Sequence, residues 1–268
     1  MPAISNEGVR LRLRQVYNEV IEVRKTFLLI MESIIIMSTY TSVANLASAR
    51  ASDITGKPIE DFKFLKDAAD RQSEIYNSDI DYEKSKIVEM HLVYLWGKID
   101  NLIKDILIEH VSIDSPESPL NSENSSLVKI LSKIPLSATF FGMSDKEKRI
   151  YIIEEIYQKN NESRKQGLGK FEDMLALFEL SGPVPRELSD KIFELQNIRN
   201  VIAHNSSIAD KKFCERCPGL NYKAGQRLVL THEDFNRHYS AVISYISVIT
   251  FRFRGEGIPD KVRDVWGE

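Results

Sequence analysis

The run Arg199-Asn200-Val201-Ile202-Ala203-His204-Asn205 holds the residue types with the most chemistry to offer in this chain. A guanidinium neutralises a phosphate through a planar fork of N–H donors. An imidazole accepts and releases a proton near neutral pH. An arginine, a polar amide and an imidazole within two helical turns are the smallest set of groups able to cut RNA without a metal.

The bare spacing, Arg then a few residues then His, carries little by itself. With five histidines in the chain, roughly one such match arises by accident. Arg227 and His232 make another match, across a turn into a helix start, and it carries no weight. The surroundings of Arg199 carry the signal. At ~100° per residue, Leu188, Ile192, Leu195, Arg199 and Ile202 fall on one helical stripe ~80° wide. Arg199 is thereby expected in the middle of an apolar face, where an arginine is costly unless paired or functional. Asn200 and His204 are four apart and stack on a neighbouring face, so the Asn200 amide is expected to hold the imidazole in one orientation.

Arg199 and His204 are five apart, which separates them by ~140° around a straight helix and ~7.5 Å along it. Three arrangements bring them onto one phosphate. The helix opens before His204, or the Arg199 side chain curls round, or a second copy contributes the partner group, which predicts a two-fold dimer. The competing reading is structural. His204 then favours the C-terminal helix dipole, Asn205 takes a left-handed cap, and Arg199 snorkels or pairs with Glu194 or Glu233.

The elements that hold this run read as helices. Residues 84–111 have Ile87, Met90, Tyr94, Ile99, Leu102, Ile103 and Ile106 at three- and four-residue steps. Helices are also expected over 9–49, 59–76, 126–134, 145–159, 171–180, 186–203 and 232–252. Thr231 is the expected N-cap of the last of these, with Asp234 in its third position. Ser181-Gly182-Pro183 stops the helix before Arg186. The segments 112–126, 160–170 and 214–223 read as loops, and Gln226–Leu230 as a candidate short strand. The fold class is all-α: an antiparallel helix bundle with one irregular polar loop and that one short β element.

At 268 residues and a net charge of −3, the chain holds one large domain or two small ones, and any nucleic-acid contact falls to local basic patches. Lys211, Lys212 and Arg216, with Lys223 and Arg227 beyond them, are candidates to line an RNA path. Cys214 and Cys217 are the two cysteines. They make no disulfide framework, and a reducing cytoplasm is expected. Their spacing is half a zinc site, but no second such pair exists, so plain loop cysteines and no metal are the expectation. His91, His110 and His238 read as structural.

The N-terminus MPAISNEGVR lacks the apolar core of a secretory signal. Phe27–Met37 is apolar but carries Glu32 and is about half the ~20 residues of a membrane span. It is expected in the core or at a subunit interface. No cofactor fingerprint occurs. A metal-dependent hydrolase built on the acidic 53–83 segment with His91 is a further reading, supported by acidity alone.

Arg199, Asn200 and His204, within FELQNIRNVIAHN, resemble the nuclease motif of the HEPN superfamily: Arg, a polar residue, then His after a short spacer, on a helix of an all-α bundle. HLVYLWGKIDNLIKDIL resembles that family's early aromatic-containing helix. KFEDMLALFEL before a Gly-Pro turn resembles the helix preceding the motif, and GQRLVLT leading into a last long helix is similar to bacterial HEPN proteins of the toxin and defence type. The resemblance covers 84–254, leaving 1–83 as a helical N-terminal extension and 255–268 as a tail.

It implies metal-independent endoribonuclease activity. His204 is then the general base or acid, Arg199 stabilises the charge on the transition state, and Asn200 orients the ring or donates to a phosphate oxygen. It also implies RNA as substrate, a homodimer, and a toxin–antitoxin or phage-defence setting with an antitoxin or other defence partner. The superfamily includes non-catalytic members as well, so an interaction or nucleotide-binding module is the alternative.

Overall fold

The computed structural model describes residues 7–38, 40–77, 80–111, 125–160 and 165–267. The fold is all-α. In chain order its helices are α1 (Glu7–Ser38), α2 (Tyr40–Thr55), α3 (Lys63–Asn77), α4 (Ile80–His110), α5 (Ser125–Leu131), α6 (Ala138–Phe141), α7 (Asp145–Asn160), α8 (Leu168–Ala176), α9 (Arg186–His204), α10 (Lys211–Arg216), α11 (His232–Phe253) and α12 (Asp260–Trp266). Short 3-10 turns cover Ile59–Phe62 and Pro218–Leu220.

Four long helices build the bundle. On α1, Val9, Leu13, Val16, Val20, Val23 and Phe27 alternate four- and three-residue steps, and all are buried. On α4, Val88, Leu92, Leu95, Ile99, Leu102, Ile103 and Ile106 are fully buried. Each such side chain stabilises the fold by about 1.5–3 kcal/mol. The ion pairs Arg12–Asp105 (2.7 Å) and Lys98–Glu19 (2.6 Å), with Phe27 edge-on to His91 (5.2 Å), fix α1 antiparallel to α4. Helix α11 runs parallel to α4, since Leu230 N–H donates to Ser85 Oγ near one end and Phe235 meets His91 nearly two turns on. Helix α9 packs on both α4 and α11. The first half of α1 therefore shares its core with the region 84–254.

The start of α9 is anchored by a buried arginine. Arg252 is paired with Glu172 (3.0 Å) and donates to the carbonyls of Leu180 (3.2 Å) and Gly182 (3.1 Å) in the turn before α9. A Cβ on Gly182 would stand 2.8 Å from Arg252 Nε, so a larger residue there would push the guanidinium off these partners. On the other flank Gly167, at φ 60°, donates to Gln196, and a Cβ there would meet Phe193 Cα at 2.9 Å. These contacts fix the axis of the helix that carries Arg199 and His204.

Several expectations hold. The capping box at Thr231 and Asp234 is present, and helices occupy 63–77, 80–110, 145–160, 186–204 and 232–253. Others are corrected. Met90 and Tyr94 are not core residues: they are 69% and 51% exposed, on the flank of α4 that α1 leaves open. The segment expected as a loop from Cys214 instead begins within α10, because the Asp210 side chain caps it by accepting from Phe213 N–H at 2.6 Å. The candidate strand Gln226–Leu230 is reduced to one isolated antiparallel bridge, Ile208 with Arg227.

In the apolar run Phe27–Met37, Phe27 and Ile34 are buried but Leu29 faces outward. No helix among the described residues is long and apolar enough to cross a membrane. Residues 112–124 of one expected loop and 161–164 of another lie outside the described residues.

Candidate functional site

The buried stripe of α9 is Leu188, Ile192, Leu195, Ile198 and Val201. After Leu195 it advances in three-residue steps, and each such step turns the face back by ~60°. Arg199 and Ile202 are therefore left half-buried on its edge, which corrects the expectation that Arg199 sits in its middle. Arg199 does not pair with Glu194 or Glu233. The Glu194 carboxylate is taken by Lys191 (2.9 Å), His238 (3.3 Å) and Arg237 (3.4 Å).

Arg199 instead curls toward the helix end. Its Nη1 lies 3.3 Å from His204 Nε2 and donates to Asn200 Oδ1 at 3.2 Å. Helix α9 continues through His204, so the helix does not open, and one chain supplies both groups. In this arrangement a neutral His204 carries its proton on Nδ1 and offers the Nε2 lone pair to the guanidinium. Asn200 grips the guanidinium and not the imidazole, which corrects the expected role of its amide. His204 is exposed, so the pair stands open to a ligand at the C-terminal end of α9.

The turn after His204 is held by groups that local sequence patterns do not reveal. Asn205 caps the helix at φ −134°, not in the left-handed region; Ser206 (φ 50°) and Ser207 (φ 63°) take that conformation instead. Two consecutive non-glycine residues there cost about 1–2 kcal/mol each. Four hydrogen bonds offset that cost. Ser207 Oγ donates to Glu89 at 2.7 Å, Ser207 N–H to the Val201 carbonyl at 3.2 Å, Leu228 N–H to the Ser207 carbonyl at 2.8 Å, and the Asn205 amide to Ile208 O.

Glu89 is almost wholly buried and is paired with Lys86 at 2.6 Å. Arg227 donates to Tyr82 Oη at 3.0 Å and stacks on its ring, so the first turns of α4 clamp the whole return loop. Lys86, Glu89 and Ser207 were not singled out from sequence. The available signal was Glu89 falling in phase with Ser85 and Leu92 on the buried side of α4.

The candidate RNA-contacting residues sit on α10, which packs on α9. Lys211 and Lys212 are exposed, Lys211 within 3.8 Å of Glu215, while Arg216 is tied back to Asn197 Oδ1 at 3.5 Å. Cys214 and Cys217 are free thiols. Burial, then the nearby Glu194 carboxylate, pushes the Cys217 thiol up to about 12, which leaves it unreactive at neutral pH. Among the described residues no three His, Cys, Asp or Glu side chains are arranged to hold a metal.

His91 donates from Nδ1 to the Ile87 carbonyl (2.7 Å) and packs edge-on to Phe27 and Phe235. His238 is fully enclosed beside Glu194. Burial alone would raise the Glu194 carboxyl, but the His238 imidazole and the Lys191 ammonium outweigh it and bring it down to about 2. No family model, curated protein or solved structure matches the chain.

Proposed function

We propose that the chain is an endoribonuclease whose chemistry needs no metal, with Arg199 and His204 as its catalytic pair and Asn200 as the residue that positions the guanidinium. One observation carries this reading: the Arg199 guanidinium lies 3.3 Å from His204 Nε2 on an exposed helix end. The resemblance of the motif to HEPN nucleases supports it.

His204 Nε2 takes the proton of the RNA 2′-hydroxyl, and the 2′-oxygen forms a bond to the adjacent phosphorus. The bond from phosphorus to the 5′-oxygen breaks, and the protonated ring returns its proton to that oxygen. The products are a 2′,3′-cyclic phosphate and a 5′-hydroxyl. Arg199 stabilises the added negative charge on the pentavalent phosphorus oxygens. DNA has no 2′-hydroxyl and does not react this way.

Lys211 and Lys212 are the proposed contacts to the RNA backbone. The proposal includes a cytoplasmic homodimer, in which two α9 ends face one groove, and a toxin or phage-defence role opposed by an antitoxin or other partner protein. The test is RNA cleavage in the presence of EDTA. Arg199→Ala and His204→Ala are each expected to lower the rate by about 10²–10⁴-fold. Activity that survives both substitutions removes the assignment.

A further inference from the structure

A cavity of about 910 Å³ opens between the first turns of α1 and the last turns of α11. It lies at the far end of the bundle from His204, because Arg252 ties the end of α11 to the start of α9. The length of α9 puts the two sites about 25–30 Å apart.

Three guanidinium groups line this cavity, those of Arg10, Arg14 and Arg254, against a single carboxylate, Glu256. Arg10 and Arg14 are four apart and share one face of α1, and Tyr17 continues that face. Among the described residues none of the three arginines has an ion-pair partner. The contrast with their neighbours is sharp: Arg12, between Arg10 and Arg14, is paired with Asp105, and Arg252, two residues before Arg254, with Glu172. The cations that face the core are neutralised, and those that face the cavity are not.

The Arg254 guanidinium rests over the Phe251 ring at 5.6 Å, which leaves its N–H edge free. Leu13, Phe251 and Phe253 supply an apolar wall. The hydroxyls of Ser247 and Thr250 donate to carbonyls of their own helix, so toward the cavity they present lone pairs.

We propose that this groove is a second ligand site, and that it takes a phosphorylated ribonucleoside. Arginines lining one cavity match a phosphate in charge and in fork geometry. Tyr17, exposed on the rim, offers a face on which a planar base stacks. Glu256 is an acceptor for a ribose diol, and with it the site reads sugar as well as phosphate. The cavity has the size of a one-nucleotide pocket. The ligand chemistry has two sources, a free nucleotide or the phosphorylated end of an RNA.

Titration calorimetry on the full chain tests this, with AMP, ADP, ATP, inorganic phosphate and a short 5′-phosphorylated RNA as probes. Saturable binding of one nucleotide per chain is expected. Arg14→Ala and Arg254→Ala each weaken it about tenfold or more. Glu256→Gln abolishes any preference for ATP over its 2′-deoxy counterpart. Both arginines are exposed, so the fold is expected to survive, and an unchanged thermal midpoint verifies that it has.

His204→Ala leaves the affinity unchanged, which separates this site from the ribonuclease reading. RNA binding that is tighter than that of the free nucleotides, and equally dependent on the arginines, assigns the groove to an RNA terminus. No saturation by any probe, affinities indifferent to the arginines, or inorganic phosphate as tight as ATP would each overturn the proposal.

Discussion

Arg199 and Asn200 form one unit in this structure. The Asn200 amide oxygen accepts from the same Nη1 that faces His204, so the guanidinium is held at the helix end and not free to extend. Arg199→Lys keeps the charge but loses the planar fork that bonds Asn200 and a phosphate together. Its kcat is expected to fall by roughly 10²-fold, near the loss for Arg199→Ala, in single-turnover RNA cleavage. Asn200→Ala leaves both reacting groups in place and is expected to cost only about tenfold. Equal losses for Asn200→Ala and His204→Ala would show that the amide acts directly on the RNA.

The identity of these residues was readable from sequence, but their meeting was not. Ideal geometry separates them by ~140°, and the long Arg199 side chain closes that gap without any break in the helix. Arg199 is not in the middle of the buried face, because that face turns after Leu195 as Ile198 and Val201 take over.

The elements that matter are α9, the turn behind it and the first turns of α4. Helix boundaries were legible where caps and periodicity agree, as at Thr231 and Gly182. The clamp on the turn was not. Ser207 and Glu89 are far apart in sequence, and no local period links a serine past a helix end to a carboxylate on α4. Likewise Met90 and Tyr94 look periodic, but α1 covers only one flank of α4, so tertiary packing and not spacing decides their exposure.

The clamp predicts opposite signs for two substitutions. Ser206→Gly relieves a left-handed residue that is exposed, and is expected to raise stability by about 1 kcal/mol in urea unfolding. Glu89→Ala leaves Lys86 and Ser207 without their acceptor, and is expected to lower stability by roughly 3–5 kcal/mol. It also frees the turn after His204, so cleavage should fall even where the protein remains folded. A Glu89→Ala variant with full stability and full activity would mean that the turn holds itself.

Across the whole molecule, stability depends on a charged seam between α9 and α11. The folded-state carboxyl of Glu194, at about 2, is depressed from its ordinary 4.5. The sign follows. Its contribution is fully present above the unfolded value and is lost as pH falls through the folded one. Between about pH 5 and pH 2 the protein is expected to lose roughly 3 kcal/mol from this group alone. Urea midpoints across that range test it, with Glu194→Gln as the comparison. The variant should be less stable at neutral pH, and its curve should converge on that of the native chain at the acid end.

The all-α class and the main helices were open to reading from periodicity. The sharing of one core by α1 and the later helices was not, because the side chains of α1 alone do not say which helices they meet.

In the proposed reaction His204 and Arg199 cut at a ribose that uses its own 2′-oxygen. The direct measurement is end-group analysis of an RNA cleaved in EDTA, beside the same RNA with one 2′-deoxy nucleotide at the cut. The native chain should leave a 2′,3′-cyclic phosphate and a 5′-hydroxyl, fail at the deoxy position, and lose activity with His204→Ala. A 5′-phosphate product, cleavage through the deoxy position, or full activity without His204 would contradict it.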